Sequence, residues 1–357
     1  MSELVILSNM PFMRPSAISK PLLSWYDRFK RDLPWRVKSG KTPDPYRVWL
    51  SEVMLQQTTV AAVTPRYQRF LTRWTTVEAL AAASDEDVMG EWAGLGYYAR
   101  ARNLLKCART VTREYNGRFP AKENLLSKLP GIGPYTAAAI AAIAFDKPSS
   151  PVDANIERVT SRIFKIETPL PTAKTEINSF AKSMTPKIRP GDFAQAMMDL
   201  GATVCLPQNP RCPVCPLLNF CKARRAGLEN SLPIKPLKAP KPTRPGQIYW
   251  IENKDGDVLL RRREPKGLLG GMAEMPSFGW SDDDGPEVVK ELTNSWTEFG
   301  TVNHIFTHFR LELQVYYGNC DCSPPSNCFW QPVQFLTDAG LPSVMKKVVS
   351  LVLSTQR

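Results

Sequence analysis

Four cysteines, Cys205, Cys212, Cys215 and Cys221, follow one another in the pattern C-x6-C-x2-C-x5-C. Four thiolates so close together are a donor set for one metal centre, and the spacing lacks the paired C-x2-C knuckles usual for zinc, so it favours a [4Fe–4S] cluster. Pro207, Pro210, Pro213 and Pro216 keep the loop out of helix, turning Arg211, Lys222, Arg224 and Arg225 outward. Two carboxyls upstream suit opposite tasks. Glu52 lies among Val53, Met54 and Leu55 on a helix predicted over residues 49–63, on one face with Leu55, Gln56 and Thr59. Partial burial there would raise its pKa and leave it protonated near neutrality, as a general acid must be. Asp153, in Pro151-Val152-Asp153-Ala154-Asn155, stands where the chain enters a helix predicted over 156–164. Capping N–H groups would hold it as an anion able to stabilise a cation. The two histidines, His304 and His308, both fall late in the chain, leaving carboxylate chemistry to the first part.

The elements that must carry these groups are legible from periodicity. Helical patterns cover residues 25–31, 49–63, 77–82, 99–115, 135–145, 156–164, 174–184 and 193–200, with prolines in the gaps. Between two of them, Leu129-Pro130-Gly131-Ile132-Gly133-Pro134-Tyr135 reads as a tight turn in which Gly131 and Gly133 supply dihedrals closed to other residues. The free N–H groups of the following helix make an anion site suited to a DNA phosphate. Residues 231–246 carry five prolines among Lys235, Lys238, Lys241 and Arg244, the composition of a semi-rigid spacer. Alternating patterns then appear at 247–251, 257–262 and 309–317, with a turn at 253–256 and an amphipathic helix over 343–353. The chain is 357 residues long with a net charge of +12, which favours two domains and a polyanionic partner. No apolar run approaches the ~20 residues of a membrane span, and no secretory leader is evident, so a reducing cytoplasmic compartment is expected, nucleoid-associated if the source is bacterial. In such a compartment the cysteines are metal ligands or free thiols rather than disulfides.

The ordered set of hairpin, Asp motif and cysteine loop resembles the endonuclease III superfamily of DNA glycosylases. Leu33-Pro34-Trp35-Arg36, Ser51-Glu52-Val53-Met54-Leu55-Gln56-Gln57-Thr58, Gly94-Leu95-Gly96-Tyr97-Tyr98 and Tyr135 resemble the adenine DNA glycosylase (MutY) family within it. The resemblance implies an all-α helix–hairpin–helix glycosylase domain with an iron–sulfur loop, linked to an α+β Nudix-like domain. The organisation expected is a tail over 1–20, a catalytic domain over 21–228 with the cluster loop at 205–221, a linker over 229–246 and a recognition domain over 247–357.

The resemblance further implies a monomer that flips adenine from a mispair with 8-oxoguanine or guanine in duplex DNA and hydrolyses its glycosidic bond. Glu52 would protonate adenine N7 and later activate water, and Asp153 would stabilise the cationic sugar, in the manner of glycosidases. Tyr135 occupies the position of the lyase lysine; a phenol cannot form a Schiff base, so the enzyme would be monofunctional, with Tyr135 and Asn155 orienting the aspartate and the nucleophile. Arg36 and Glu52 would line the adenine pocket, Gln57 and Tyr97 would intercalate with Leu55 in support, and Phe306, Thr307 and His308 would read 8-oxoguanine. The second domain has no Nudix-box run of metal-binding glutamates, so it would read rather than hydrolyse. The alternatives are a bifunctional pyrimidine-damage glycosylase, opposed by Tyr135 and the second domain; a silent iron–sulfur DNA-binding protein, opposed by the paired Glu52 and Asp153; and a nucleotide hydrolase, opposed by the absent metal ligands.

Overall fold

The computed structural model describes residues 15–37, 41–92, 94–236, 240–264, 267–293, 295–336 and 339–355. Along them run α1 (Pro15–Phe29), α2 (Pro45–Leu55), α3 (Val60–Arg73), α4 (Val77–Ala81), α5 (Asp85–Trp92), α6 (Ala99–Tyr115), α7 (Glu123–Leu126), α8 (Pro134–Phe145), α9 (Ala154–Phe164), α10 (Lys174–Met184), α11 (Pro190–Thr203) and α12 (Lys222–Arg225). The strands β1 (Thr243–Glu252), β2 (Asp257–Arg262), β3 (Ala273–Glu274), β4 (Ser277–Phe278), β5 (Thr297–Ile305), β6 (Arg310–Asn319) and β7 (Cys328–Pro332) follow, and α13 (Ser343–Thr355) comes last. Two compact units result, residues 1–91 with 100–237, and residues 92–99 with 238–357. Among the described residues no helix is long and apolar enough to cross a membrane.

In the helical unit, α8 is the element around which the site forms. Its run of alanines is buried nearly all round, because side chains this small let α2 and α11 both lie against it. Approach to α11 is so close that a Cβ on Gly191 would meet the Ala142 carbonyl oxygen at 2.5 Å. A second core joins Ile18, Leu22 and Trp25 of α1 to Ile156, Val159 and Ile163 of α9 and to Phe193, Met197 and Leu200 of α11.

Several boundaries differ from expectation. The helix expected over 49–63 is two helices: α2 stops at Leu55, Gln57 adopts a left-handed backbone (φ 57°), and Thr59 caps α3 by accepting from the Ala62 N–H. Glu52 and Thr59 therefore do not share a helix face. Helix α1 opens at Pro15, inside the segment read as tail; residues 1–14 lie outside the described residues. The stretch read as linker is tied down at its start, where the Leu232 carbonyl accepts from Arg162 Nε at 3.0 Å and the Ile234 carbonyl accepts from the Leu170 N–H at 2.9 Å. At its end it is already strand, since β1 begins at Thr243.

The second unit is one mixed sheet in the order β3-β2-β1-β6-β5, with β1 and β6 parallel, β4 paired to β1 and β7 to β2. Helix α13 buries Val344, Met345, Val348 and Val352 against Ile248, Trp250, Leu311 and Leu313 of the sheet. The expected turn at 253–256 is made by Asn253, whose side-chain oxygen accepts from the Asp255 and Asp257 N–H groups at 2.9 and 2.8 Å, with Gly256 at φ 78°. Strands β3, β4, β5 and β7 lie outside the alternating stretches. Cys320 and Cys322 are joined as a disulfide, against the expectation of free thiols. One residue separates them just past the end of β6, and their Cα atoms are 5.5 Å apart, within disulfide reach.

Candidate active site

Helix α2 is launched by Asp44, whose carboxylate accepts from the Tyr46 N–H at 2.9 Å, and by Pro45 in the first turn. Every residue from Val48 to Met54 is buried, so Glu52 is carried inward with its apolar neighbours and is only 7% exposed. Burial pushes its carboxyl up to about 7, and the nearby negative charge of Asp153 pushes the same way; the hydrogen bond from Tyr135 and the charge of Arg36 oppose. Tyr135 Oη donates to Glu52 Oε2 at 2.9 Å. This departs from the expected role: the phenol orients the acid, not the aspartate. Burial beside Glu52 holds the Tyr135 phenol well above its ordinary range, so it remains a donor. Gln56 Nε2 reaches Thr136 Oγ1 at 3.1 Å, a second tie between the end of α2 and the first turn of α8. Arg100 donates to the Val53 and Met54 carbonyls, both at 3.0 Å, satisfying the end of α2.

Asp153 caps α9. Its Oδ1 accepts from the Ile156 N–H at 2.7 Å and its Oδ2 from Asn155 Nδ2 at 2.9 Å, as expected of Asn155. Asn155 Oδ1 in turn accepts from Arg158 at 2.9 Å, and the buried Arg158 guanidinium also donates to the Cys205 carbonyl at 2.8 Å and the Gly201 carbonyl at 2.7 Å. Gly201 is required for this: a Cβ there would sit 2.5 Å from Asn155 Cβ. Neither Arg158 nor Gly201 was singled out in the sequence. The signal available was an arginine three residues past Asn155 and four before Arg162, a polar stripe on one face of the helix.

Arg36, close enough for its charge to act on Glu52, is itself anchored. Its guanidinium grips Asp199 of α11 through two bonds, at 2.5 and 2.7 Å, and Arg31 Nε reaches the same carboxylate at 2.6 Å. Asp199 is wholly buried, and two arginines are what compensate it. The sequence signal for Asp199 is its place inside Met197-Met198-Asp199-Leu200, a polar group in an apolar run, which asks for a partner.

Gly131 and Gly133 divide the hairpin between them. Gly131 has φ 73°, and a Cβ there would approach Asn103 Cβ to 2.7 Å. Gly133 has φ −82°, open to any residue, which corrects the expectation that both need glycine; it is the N-cap of α8, exposed, with nothing within 4 Å of a Cβ. Gly131→Ala is therefore expected to cost about 2 kcal/mol or more and Gly133→Ala about 1 kcal/mol or less. Thermal melts of the two variants check the order; equal losses would contradict it.

The four cysteines line one cavity with Arg162, Val204, Pro210, Leu218, Arg224 and Glu229. Arg162 points its guanidinium at Cys205 Sγ (3.2 Å) and at the carbonyls of Leu206 and Pro207, while Cys221 Sγ lies 3.5 Å from the Arg162 carbonyl oxygen. Among the described residues no three such ligands are gathered as for a single ion. Arg211, Arg224 and Arg225 are exposed and Lys222 is half-buried.

Leu55 is half-buried and Gln57 exposed at the break after α2; Tyr97 is exposed, with φ 49°, in the 92–99 segment. In the second unit, Phe306, Thr307 and His308 form the β5–β6 loop, Phe306 half-buried and the other two exposed.

Comparison with known proteins agrees with this arrangement. Residues 50–186 match the family model of the HhH-GPD superfamily base excision DNA repair protein, and residues 247–351 match that of the NUDIX domain. Adenine DNA glycosylase of Mus musculus is 36% identical over 93% of this chain and 77% of its own length. That of Buchnera aphidicola subsp. Baizongia pistaciae is 31% identical over 93% of this chain and 95% of its own. Among solved structures, a thermostable thymine-DNA glycosylase superposes with a TM-score of 0.54 at 28% identity, covering 60% of this chain and 97% of its own.

Proposed function

The chain belongs to the adenine DNA glycosylase family, and we propose that it excises adenine paired with 8-oxoguanine or guanine in duplex DNA by acid-assisted cleavage of the glycosidic bond. The observation that carries the reading is the pairing of a buried carboxyl raised to about 7, Glu52, with a second carboxyl, Asp153, that accepts two N–H bonds as an anion does. A flipped adenine is a poor leaving group until a ring nitrogen is protonated. Glu52 supplies that proton to N7, held in aim by the Tyr135 phenol, and as a carboxylate it then draws a proton from the attacking water. The sugar left behind is cationic, and Asp153 faces it in a site poor in water. Tyr135 offers no amine, so no Schiff base follows and the abasic strand stays intact. Gln57 and Tyr97, with Leu55 in support, fill the gap left by the base, the hairpin at Gly131 and Gly133 turns backbone N–H groups to a phosphate, and Thr307 and His308 read the opposite base.

Cys205, Cys212, Cys215 and Cys221 would hold a [4Fe–4S] cluster. Support comes from four soft donors around one cavity, with a guanidinium directed at one sulfur to balance thiolate charge. Bound there, the cluster supplies metal–sulfur bonds that fix the loop next to the end of α11.

The test is a duplex holding one 8-oxoguanine·adenine pair, incubated with the purified chain and then divided, half heated with alkali. Free adenine in both halves, and strand cleavage only in the alkali-treated half, are expected. Cleavage of equal extent without alkali would point to a lyase, and intact adenine in both halves to a protein that only binds DNA.

A further inference from the structure

The exposed members of the β5–β6 loop rest on a ring that is itself half-buried. Phe306 lies parallel to Trp280, with ring centroids 5.9 Å apart and planes 12° from parallel. His304 meets it edge-on at 4.7 Å, and Phe309 is tilted against it at 4.9 Å. The backbone is held as well: the Phe306 N–H donates to the Phe309 carbonyl at 2.9 Å, and Lys241 Nζ donates to the Phe306 carbonyl at 2.7 Å.

Trp280 is in turn fixed from several sides. It is 2% exposed, its indole N–H donates to Ser277 Oγ at 3.0 Å, and Ser277 donates to Glu274 Oε1 at 3.3 Å. The Arg263 guanidinium lies 4.9 Å from the indole centroid and binds Glu274 Oε2 at 2.8 Å, while Arg244 donates to the Trp280 carbonyl at 3.3 Å. Glu274 has no exposed side-chain surface and is shared by Arg261 and Arg263, both of which also reach Asp283. Such a buried ionic cluster adds little stability over an apolar core, because desolvation offsets most of its attraction; what it does provide is one fixed geometry. Its position beneath a loop that must present two polar side chains to a base is the use for that rigidity.

We propose that Trp280 is a positioning residue for opposite-base recognition: clamped by Ser277, Arg263 and Glu274, it stacks on Phe306 and so sets where Thr307 and His308 point. The proposal rests on the reading of this loop as the one that faces the base opposite adenine. Phe306 thereby acts as an anchor, and Thr307 and His308 as the contacts. A polar group displaced by 1 Å loses its hydrogen bond to a base edge, so loss of the stack should appear in discrimination rather than in bond cleavage.

The experiment compares the full-length protein with Trp280→Leu, Trp280→Phe and the double variant Thr307→Ala/His308→Ala on two duplexes, adenine opposite 8-oxoguanine and adenine opposite guanine. Affinity and the rate at saturating enzyme are measured separately. Trp280→Leu is expected to reduce the preference for 8-oxoguanine by about three- to tenfold, the worth of one aromatic pair, with the loss in affinity for that duplex. Trp280→Phe, which restores a stacking ring, should retain the preference within about twofold. If the double variant loses the preference and Trp280→Leu keeps it, the positioning role is wrong while the loop reading stands. If neither variant changes it, the loop reading fails and takes the inference with it. Should Trp280→Leu not fold, Ser277→Ala removes only the hydroxyl that orients the indole; a smaller loss of preference in the same direction is expected, and an unchanged preference overturns the role.

Discussion

Glu52→Gln is expected to slow adenine release by about 10²- to 10⁴-fold, the usual worth of a general acid, while DNA affinity is retained. The amide fills the same space and still accepts from Tyr135, but it has no proton of the required acidity. The pH dependence gives the sharper signature. With Glu52 titrating at about 7, the wild-type rate should fall about tenfold per unit above that pH. Tyr135→Phe removes a bond that favours the ionised form, so the alkaline limb should move upward. Stability runs in the opposite sense to activity. A carboxyl raised in the folded state binds its proton more tightly there than in the unfolded chain, so the native state is penalised as pH rises from about 4.5 to about 7. The shift corresponds to about 3 kcal/mol at most. Thermal melts of Glu52→Gln and wild type should therefore diverge between pH 4.5 and pH 8, with the variant the more stable at pH 8. Parallel melting curves across that range would show that Glu52 does not titrate as a buried acid.

Asp153→Asn should lower the rate by about 10²- to 10³-fold, because the cationic sugar loses the anion that faces it. Asparagine is as good an N-cap as aspartate, so gross unfolding is not expected. Its side chain has one acceptor oxygen where aspartate has two, however, and either the Ile156 N–H or Asn155 Nδ2 must lose its partner. A stability loss of about 1 kcal/mol follows. The substitution also removes the negative charge that helps to raise Glu52, so the residual activity should lose its alkaline limb at a lower pH than wild type. Single-turnover rates over a pH series measure both effects; a residual activity with an unshifted limb would mean that the two carboxyls do not sense each other.

How far the sequence could be read depended on whether a residue's partner was near it in the chain. Glu52 was legible because its burial follows from Val53, Met54 and Leu55 beside it, and Asp153 because an N-cap is a local property. The split of the expected 49–63 helix was hidden, since Gln56-Gln57-Thr58 contains neither glycine nor proline and nothing in it demands a left-handed residue. The partner of Tyr135 is not legible, because both carboxyls lie far off in sequence and the packing of α2 against α8 is what brings Glu52 to it. Arg36 and Asp199 are separated by 163 residues, and no spacing rule reaches that far. In the second unit β2 was read to the residue, while β5, interrupted by a bulge between Glu298 and Gly300, lacks clean alternation.

The relay from Asp153 through Asn155 and Arg158 to the Cys205 carbonyl gives the cysteine loop a second meaning. Of the carbonyls that hold the Arg158 guanidinium, one belongs to α11 at Gly201 and one to the loop at Cys205. Whatever steadies or loosens the loop is therefore felt at the Asp153 carboxylate at the other end of the chain of bonds, while the cap on Ile156 keeps that carboxylate in place.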